Sequence, residues 1–91
     1  MNKTNQDFNI LTGNALKLAR EKSEFTQQDM ATASDMSKNH ISLVEHGDRK
    51  LTVELLFAYC SMLHMTPDQI LEHDPTLKEY LDLWRNDCLS E

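Results

Sequence analysis

Thr26-Gln27-Gln28-Asp29-Met30-Ala31, followed by Met36-Ser37-Lys38-Asn39-His40-Ile41-Ser42-Leu43-Val44-Glu45-His46-Gly47, describes two short helices joined by a tight turn. Thr26 stands where a helix start needs a side-chain acceptor, and Asp29 takes the reciprocal position three residues on. Met30 and Ala31 form the inward face of this helix. Ser34-Asp35-Met36 makes the turn, and Ser37 caps the next helix, which buries Ile41 and Val44. Gly47 stops it, because glycine enters the left-handed region without steric cost. Such a helix is anchored along one edge and presents Lys38, Asn39, His40, Ser42 and Leu43 outward.

Outward from this pair, the remaining elements also read as helices. A first helix is predicted over Ile10–Ser23, with Leu16, Ala19 and either Ile10 or Gly13 turned inward at helical spacing. Thr52 caps a fourth, which presents Val53, Leu56, Cys60 and Leu63 on one face. Thr66-Pro67-Asp68-Gln69 combines a cap, a proline at the first helical position, an acid in the first turn and the box glutamine. It opens a short fifth helix ending near Glu72. Asp74-Pro75 repeats the start signal for a sixth, reaching about Leu89. No segment reads as a strand, and the expected fold is all-α.

The chain has 91 residues, enough for one domain and a short appendage. With 40% hydrophobic and 26% charged residues and only two Gly and two Pro, it has the composition of a globular helical protein. No apolar run approaches the roughly 20 residues that span a bilayer, and the polar start is not a signal peptide, so a cytoplasmic protein without membrane contact is expected. Cys60 and Cys88 fit that compartment as reduced thiols. The net charge of −6 is unevenly placed. Residues 1–50 carry seven basic and seven acidic side chains, whereas residues 51–91 carry two and eight. The acid therefore lies away from the helix pair, where local sign matters more than the total.

At these offsets the sequence resembles the Xre/Cro/CI family, the lambda-repressor-like helix-turn-helix regulators. The likeness spans about residues 10–72. It is carried by Leu16, Ala19 and Arg20, by Phe25-Thr26-Gln27 and Met30-Ala31, by Met36-Ser37, by Ile41-Ser42 and Val44-Glu45-x-Gly47, and by Leu56, Leu63 and Asp68. The family reads T-Q-x-x-L-A, then V-S, then I-S-x-x-E-x-G. The resemblance implies a five-helix DNA-binding domain with an added C-terminal amphipathic helix. It also divides the chain into an N-terminal extension (1–9), the helix-turn-helix domain (10–72) and a C-terminal element (73–91).

Carried over residue by residue, the resemblance sends the third helix into the major groove of double-stranded DNA. Lys38 is then placed to donate to guanine, Asn39 to pair with adenine, and Leu43 to touch a thymine methyl; His40 and Ser42 lie on the same face. Thr26, Gln27, Gln28 and Ser37, at two helix starts, and Arg49 and Lys50, past the glycine, are the implied phosphate contacts. The family's arginine–glutamate pair falls on Arg20 and Glu45. Two positions depart from the pattern: Asp35 replaces the glycine of the turn, and Leu51 replaces a proline after the basic loop. Asp tolerates a left-handed backbone better than most residues, so the turn is expected to survive.

Cys60 and His64, four apart, are half a zinc site that His73 or Cys88 would complete. But Cys60 falls at a core position of the family and His64 at a helix end, and no metal is assigned. No nucleophile pairs with a histidine at a recognisable spacing, and no glycine-rich phosphate loop exists, so neither an enzyme nor a cofactor is expected. No small-molecule site is evident. Leu77, Tyr80, Leu81, Trp84 and Cys88 form a helical stripe. It either folds back onto Leu55, Phe57, Tyr59 or Met62, or makes a homodimer seam; the seam is preferred, since two half-sites raise affinity. Sequence alone leaves three functions standing: a homodimeric repressor, an antitoxin-like or controller protein defined by a protein partner, and a helix-turn-helix used only for protein–protein interaction.

Overall fold

The structure, a computed structural model, is described over residues 5–89, with side chains over residues 7–86. Six helices follow one another: α1 (Asn5–Lys22), α2 (Gln27–Ser34), α3 (Lys38–His46), α4 (Val53–Leu63), α5 (Pro67–Leu71) and α6 (Pro75–Leu89). No strand occurs among the described residues, and none of the helices there is long and apolar enough to cross a membrane.

Local chemistry sets the boundaries. The Thr26 hydroxyl accepts from the Asp29 amide at 3.0 Å and the Asp29 carboxylate accepts from the Thr26 amide at 2.9 Å, which completes the box. Thr66 forms the same box with Gln69 at α5, whereas Ser37 and Thr52 cap α3 and α4 by accepting from the His40 and Leu55 amides without a reciprocal bond. Asp35 ends α2 with φ 58° and Gly47 ends α3 with φ 86°, both left-handed as expected; Glu24 and His64 share that conformation, which the sequence did not signal.

Two helices differ from expectation. α1 begins at Asn5, not Ile10, because residues 5–9 hold neither glycine nor proline and Asp7 favours a helix start. Its face is set by Gly13, which is buried, while Ile10 is half exposed. A Cβ on Gly13 would meet the Val44 and Glu45 carbonyls, lying 2.7 Å from the latter oxygen, so glycine is what lets α1 approach α3. The inward face of α4 is Leu55, Tyr59 and Leu63, whereas Val53 is 65% exposed and Leu56 and Cys60 lie half buried at the flank. The Val53–Leu56–Cys60 face is thus corrected by about one position.

Leu16, Ala19, Met30, Ala31, Ile41, Val44, Leu55, Tyr59, Leu63 and Ile70 form one core drawn from α1 to α5. Each large side chain among them contributes about 1.5–3 kcal/mol by leaving water. Among the described residues the backbone of α6 packs on α1 and α5 and not on α4, so the stripe is not seated over Leu55, Phe57, Tyr59 or Met62. Asp74 directs it. One carboxylate oxygen accepts from the Thr76 and Leu77 amides at 2.9 and 3.0 Å, and the other accepts from the Asn14 side-chain amide at 2.8 Å. Farther along, Arg85 donates to Asp68 at 2.9 Å and lies 3.7 Å from Glu72, tying α6 to both ends of α5.

Candidate nucleic-acid interface

Arg20 on α1 and Glu45 on α3 meet as a two-pronged pair. Nε donates to Oε2 at 2.8 Å and Nη2 to Oε1 at 2.9 Å, while Nη1 donates to the Phe25 carbonyl at 2.8 Å. Both residues are buried, at 7% and 4% exposure. Tyr59 on α4 adds its hydroxyl to Oε2 at 2.6 Å, and the Gln27 amide donates to Oε1 at 3.1 Å. One carboxylate thus joins the first four helices. Burial by itself would raise the Glu45 pKa, but the hydrogen bonds from Arg20, Tyr59 and Gln27, with the Arg20 charge, bring it below the ordinary carboxylate value. Burial and the bond to Glu45 push the Tyr59 phenol far upward, which keeps it a donor. The bond to Glu45 likewise raises Arg20.

This network fixes how α3 sits on the body. Ile41 and Val44 are buried beneath it, and Lys38 and Asn39 on the opposite face are exposed. His40, Ser42 and Leu43 are half buried at its edges, so they reach less far outward than Lys38 and Asn39 do. Ser37 accepts from the His40 amide at 3.0 Å, and the His46 ring donates through Nδ1 to the Ser42 carbonyl at 2.8 Å.

The expected phosphate residues fall at three places, one of them the start of α3, where Ser37 spends its hydroxyl oxygen on the cap. Thr26, Gln27 and Gln28 begin α2, where Thr26 spends its hydroxyl oxygen on the cap and Gln28 donates weakly to Thr32 at 3.4 Å. Gln27 gives one of its two N–H groups to Glu45, leaving the other and the carbonyl for a ligand. Arg49 and Lys50, past Gly47, are exposed and make no ion pair among the described residues.

A helix-turn-helix family model matches residues 16–70, more than half of the sequence. The chain belongs to the Xre/Cro/CI-type helix-turn-helix family. It is accordingly a DNA-binding regulator of transcription. Among solved structures, the helix-turn-helix protein is similar to the restriction-modification controller protein C.AhdI from Aeromonas hydrophila (TM-score 0.64, 19% identity, 69% of this chain and 96% of that one), a likeness of fold. Two structures of the clp gene regulator ClgR from Corynebacterium glutamicum are also similar. One gives a TM-score of 0.67 at 26% identity over 75% of this chain and 87% of that one. The other gives 0.70 at 25% identity over 88% and 84%. No curated protein matches the sequence.

The helix-turn-helix domain leaves part of the C-terminal stripe uncovered. Leu77 is buried and Leu81 half buried, but Tyr80 and Trp84 are 53% and 64% exposed, with Leu83 beside them at 57%. The Cys88 side chain lies outside the described residues. Tyr59 is the member of the Glu45 network that sequence reasoning missed; its spacing of four from Leu55 and from Leu63 was the available signal. Among the described residues no three His, Cys, Asp or Glu side chains converge as for a metal. His64 ends α4 exposed, and the His73 ring is tied to the Gln69 carbonyl at 2.9 Å.

Proposed function

We propose that the protein is a cytoplasmic repressor that binds a short palindromic DNA site as a homodimer, acting by occupancy and without a catalytic step. The observation that carries this reading is the exposed Lys38–Asn39 edge of α3, backed by a carboxylate network that leaves the helix little freedom to rotate. Lys38 and Asn39 approach base edges as donor and amide, and His40, Ser42 and Leu43 flank them. Gln27 links the network to the DNA, with one N–H on Glu45 and the second directed to a phosphate. Thr26, Gln28 and Ser37 support the two helix starts that face the backbone, and Arg49 and Lys50 supply positive charge beside them.

In this proposal residues 10–72 are the reading unit, with 1–9 preceding it and 73–91 supplying the seam. Tyr80 and Trp84, exposed on α6, pair with the same residues of a second copy, an isologous contact matched to a palindrome. Selection from random duplexes at low salt, with the winners sequenced, tests the reading. A symmetric motif with half-sites about one helical turn apart supports it. Folded protein that enriches no sequence overturns it. The acidic balance of residues 51–91 favours a second reading for that outcome, a helix-turn-helix used only for protein–protein interaction.

A further inference from the structure

An apolar cavity of about 240 Å³ opens beside α1 at the margin of the core, where Leu51 and Leu56 pack against the core cluster. Phe8 on α1, Leu51 in the loop before α4, Leu56 on α4, Leu71 at the end of α5 and Leu77 on α6 line it. The volume is small beside the roughly 300–1,000 Å³ of most organic-ligand sites, and it suits a narrow chain. The polar groups at the cavity are unequal. The Thr12 hydroxyl already donates to the Asn9 carbonyl at 3.1 Å. Lys50 lines the same cavity, is exposed, and makes no ion pair among the described residues.

We infer that this cavity is a binding site for a small amphipathic anion, a medium-chain carboxylate whose tail fills the apolar pocket and whose head pairs with Lys50. A neutral apolar guest would leave the cation idle, and a cationic one would be repelled by it. A carboxylate satisfies both halves of the site, and its charged hydrogen bond is stronger than a neutral one. The site also has a consequence for DNA, and this part rests on the proposed contact of Lys50 with phosphate. A carboxylate on Lys50 removes that positive charge from the backbone contact, so the ligand releases the operator.

Calorimetric titration of the full-length protein, without DNA, with octanoate, octanol and octylammonium separates the possibilities. Octanoate is expected to saturate at one per chain and, at ten times its Kd, to raise the melting temperature by about 6–11 °C. Octylammonium is expected not to bind. Lys50→Gln, on an exposed side chain, should weaken octanoate by roughly three- to tenfold and leave octanol unchanged. Asn9→Trp, which places a ring at the cavity rim, should abolish binding of both. Equal affinity for octanoate and octylammonium overturns the assignment, as does octanoate affinity unchanged in Lys50→Gln. Failure of octanoate to bind above the dimer's dissociation constant, with binding restored on dilution, would assign the cavity to a second copy and also overturn it. Octanoate that binds while duplex affinity stays constant would retain the site and refute only the coupling through Lys50.

Discussion

Arg20→Met separates the two halves of the Glu45 network most cleanly. The methionine retains much of the arginine's packing, yet Glu45, at 4% exposure, loses two of its four hydrogen bonds and the guanidinium charge. Halving a buried ion pair costs about 3–5 kcal/mol, because the remaining charge stays out of water. A 91-residue domain is stable by about 5–14 kcal/mol. The variant should therefore melt at least about 12 °C lower at neutral pH. Its pH dependence should also reverse. In the native protein the lowered Glu45 pKa contributes stability above the unfolded value, lost as pH falls through the folded pKa. Without Arg20 the burial effect dominates and raises that pKa, so the folded variant binds a proton more readily than the unfolded chain. Acidification from neutral toward about pH 5 should then recover part of the variant's stability while leaving the native protein no more stable. Urea denaturation followed by helical circular dichroism at both pH values measures this. A loss below about 1 kcal/mol, or parallel pH profiles, would refute the view that Glu45 is held ionised chiefly by Arg20.

Lys38→Ala should cost about 1–3 kcal/mol on the selected duplex and relax preference at one base pair, read by competition against single-base variants; an unchanged preference would remove Lys38 from the reading face. A dimer neutralising about six phosphates should give a slope of roughly −5 when log affinity is plotted against log salt. Tyr80→Ser with Trp84→Ser should keep the helical spectrum, since both side chains are more than half exposed, and shift sedimentation from dimer to monomer. Gly13→Ala should destabilise the fold by about 1–3 kcal/mol in urea titration, because its methyl must displace the α3 backbone.

Where local chemistry decides, the sequence could be read directly. Thr26, Ser37, Thr52 and Thr66 each cap the helix they announce, and Asp35 holds the left-handed turn in place of a glycine. The Arg20–Glu45 pair was legible only through the family resemblance, since nothing in a separation of 25 residues signals contact. Orientation was harder. Nine of the eleven residues of α4 are apolar, so periodicity offers several faces, and the choice between Leu56 and Leu55 depends on what α1 and α2 present to it. That ambiguity hid Tyr59. The start of α1 was missed because residues 5–9 hold a single apolar side chain, Phe8, so helical periodicity does not mark them. The cavity beside Phe8 could not be foreseen at all, since five elements distant in sequence converge to make it. For α6, the stripe marked an apolar face, but periodicity does not say what covers it.

The bond between Asn14 and Asp74 spans sixty positions and sits at the root of α6. In a dimer joined through that helix, the angle at which α6 leaves the body determines how far apart the two copies of α3 are held. The protein then carries its own measuring rod, whose setting this amide-to-carboxylate contact shares with the Arg85 pairs farther along. Operators whose halves are spaced to match would be selected by a residue pair that need never touch them, so a change at Asn14 could retune spacing while every base contact stays the same.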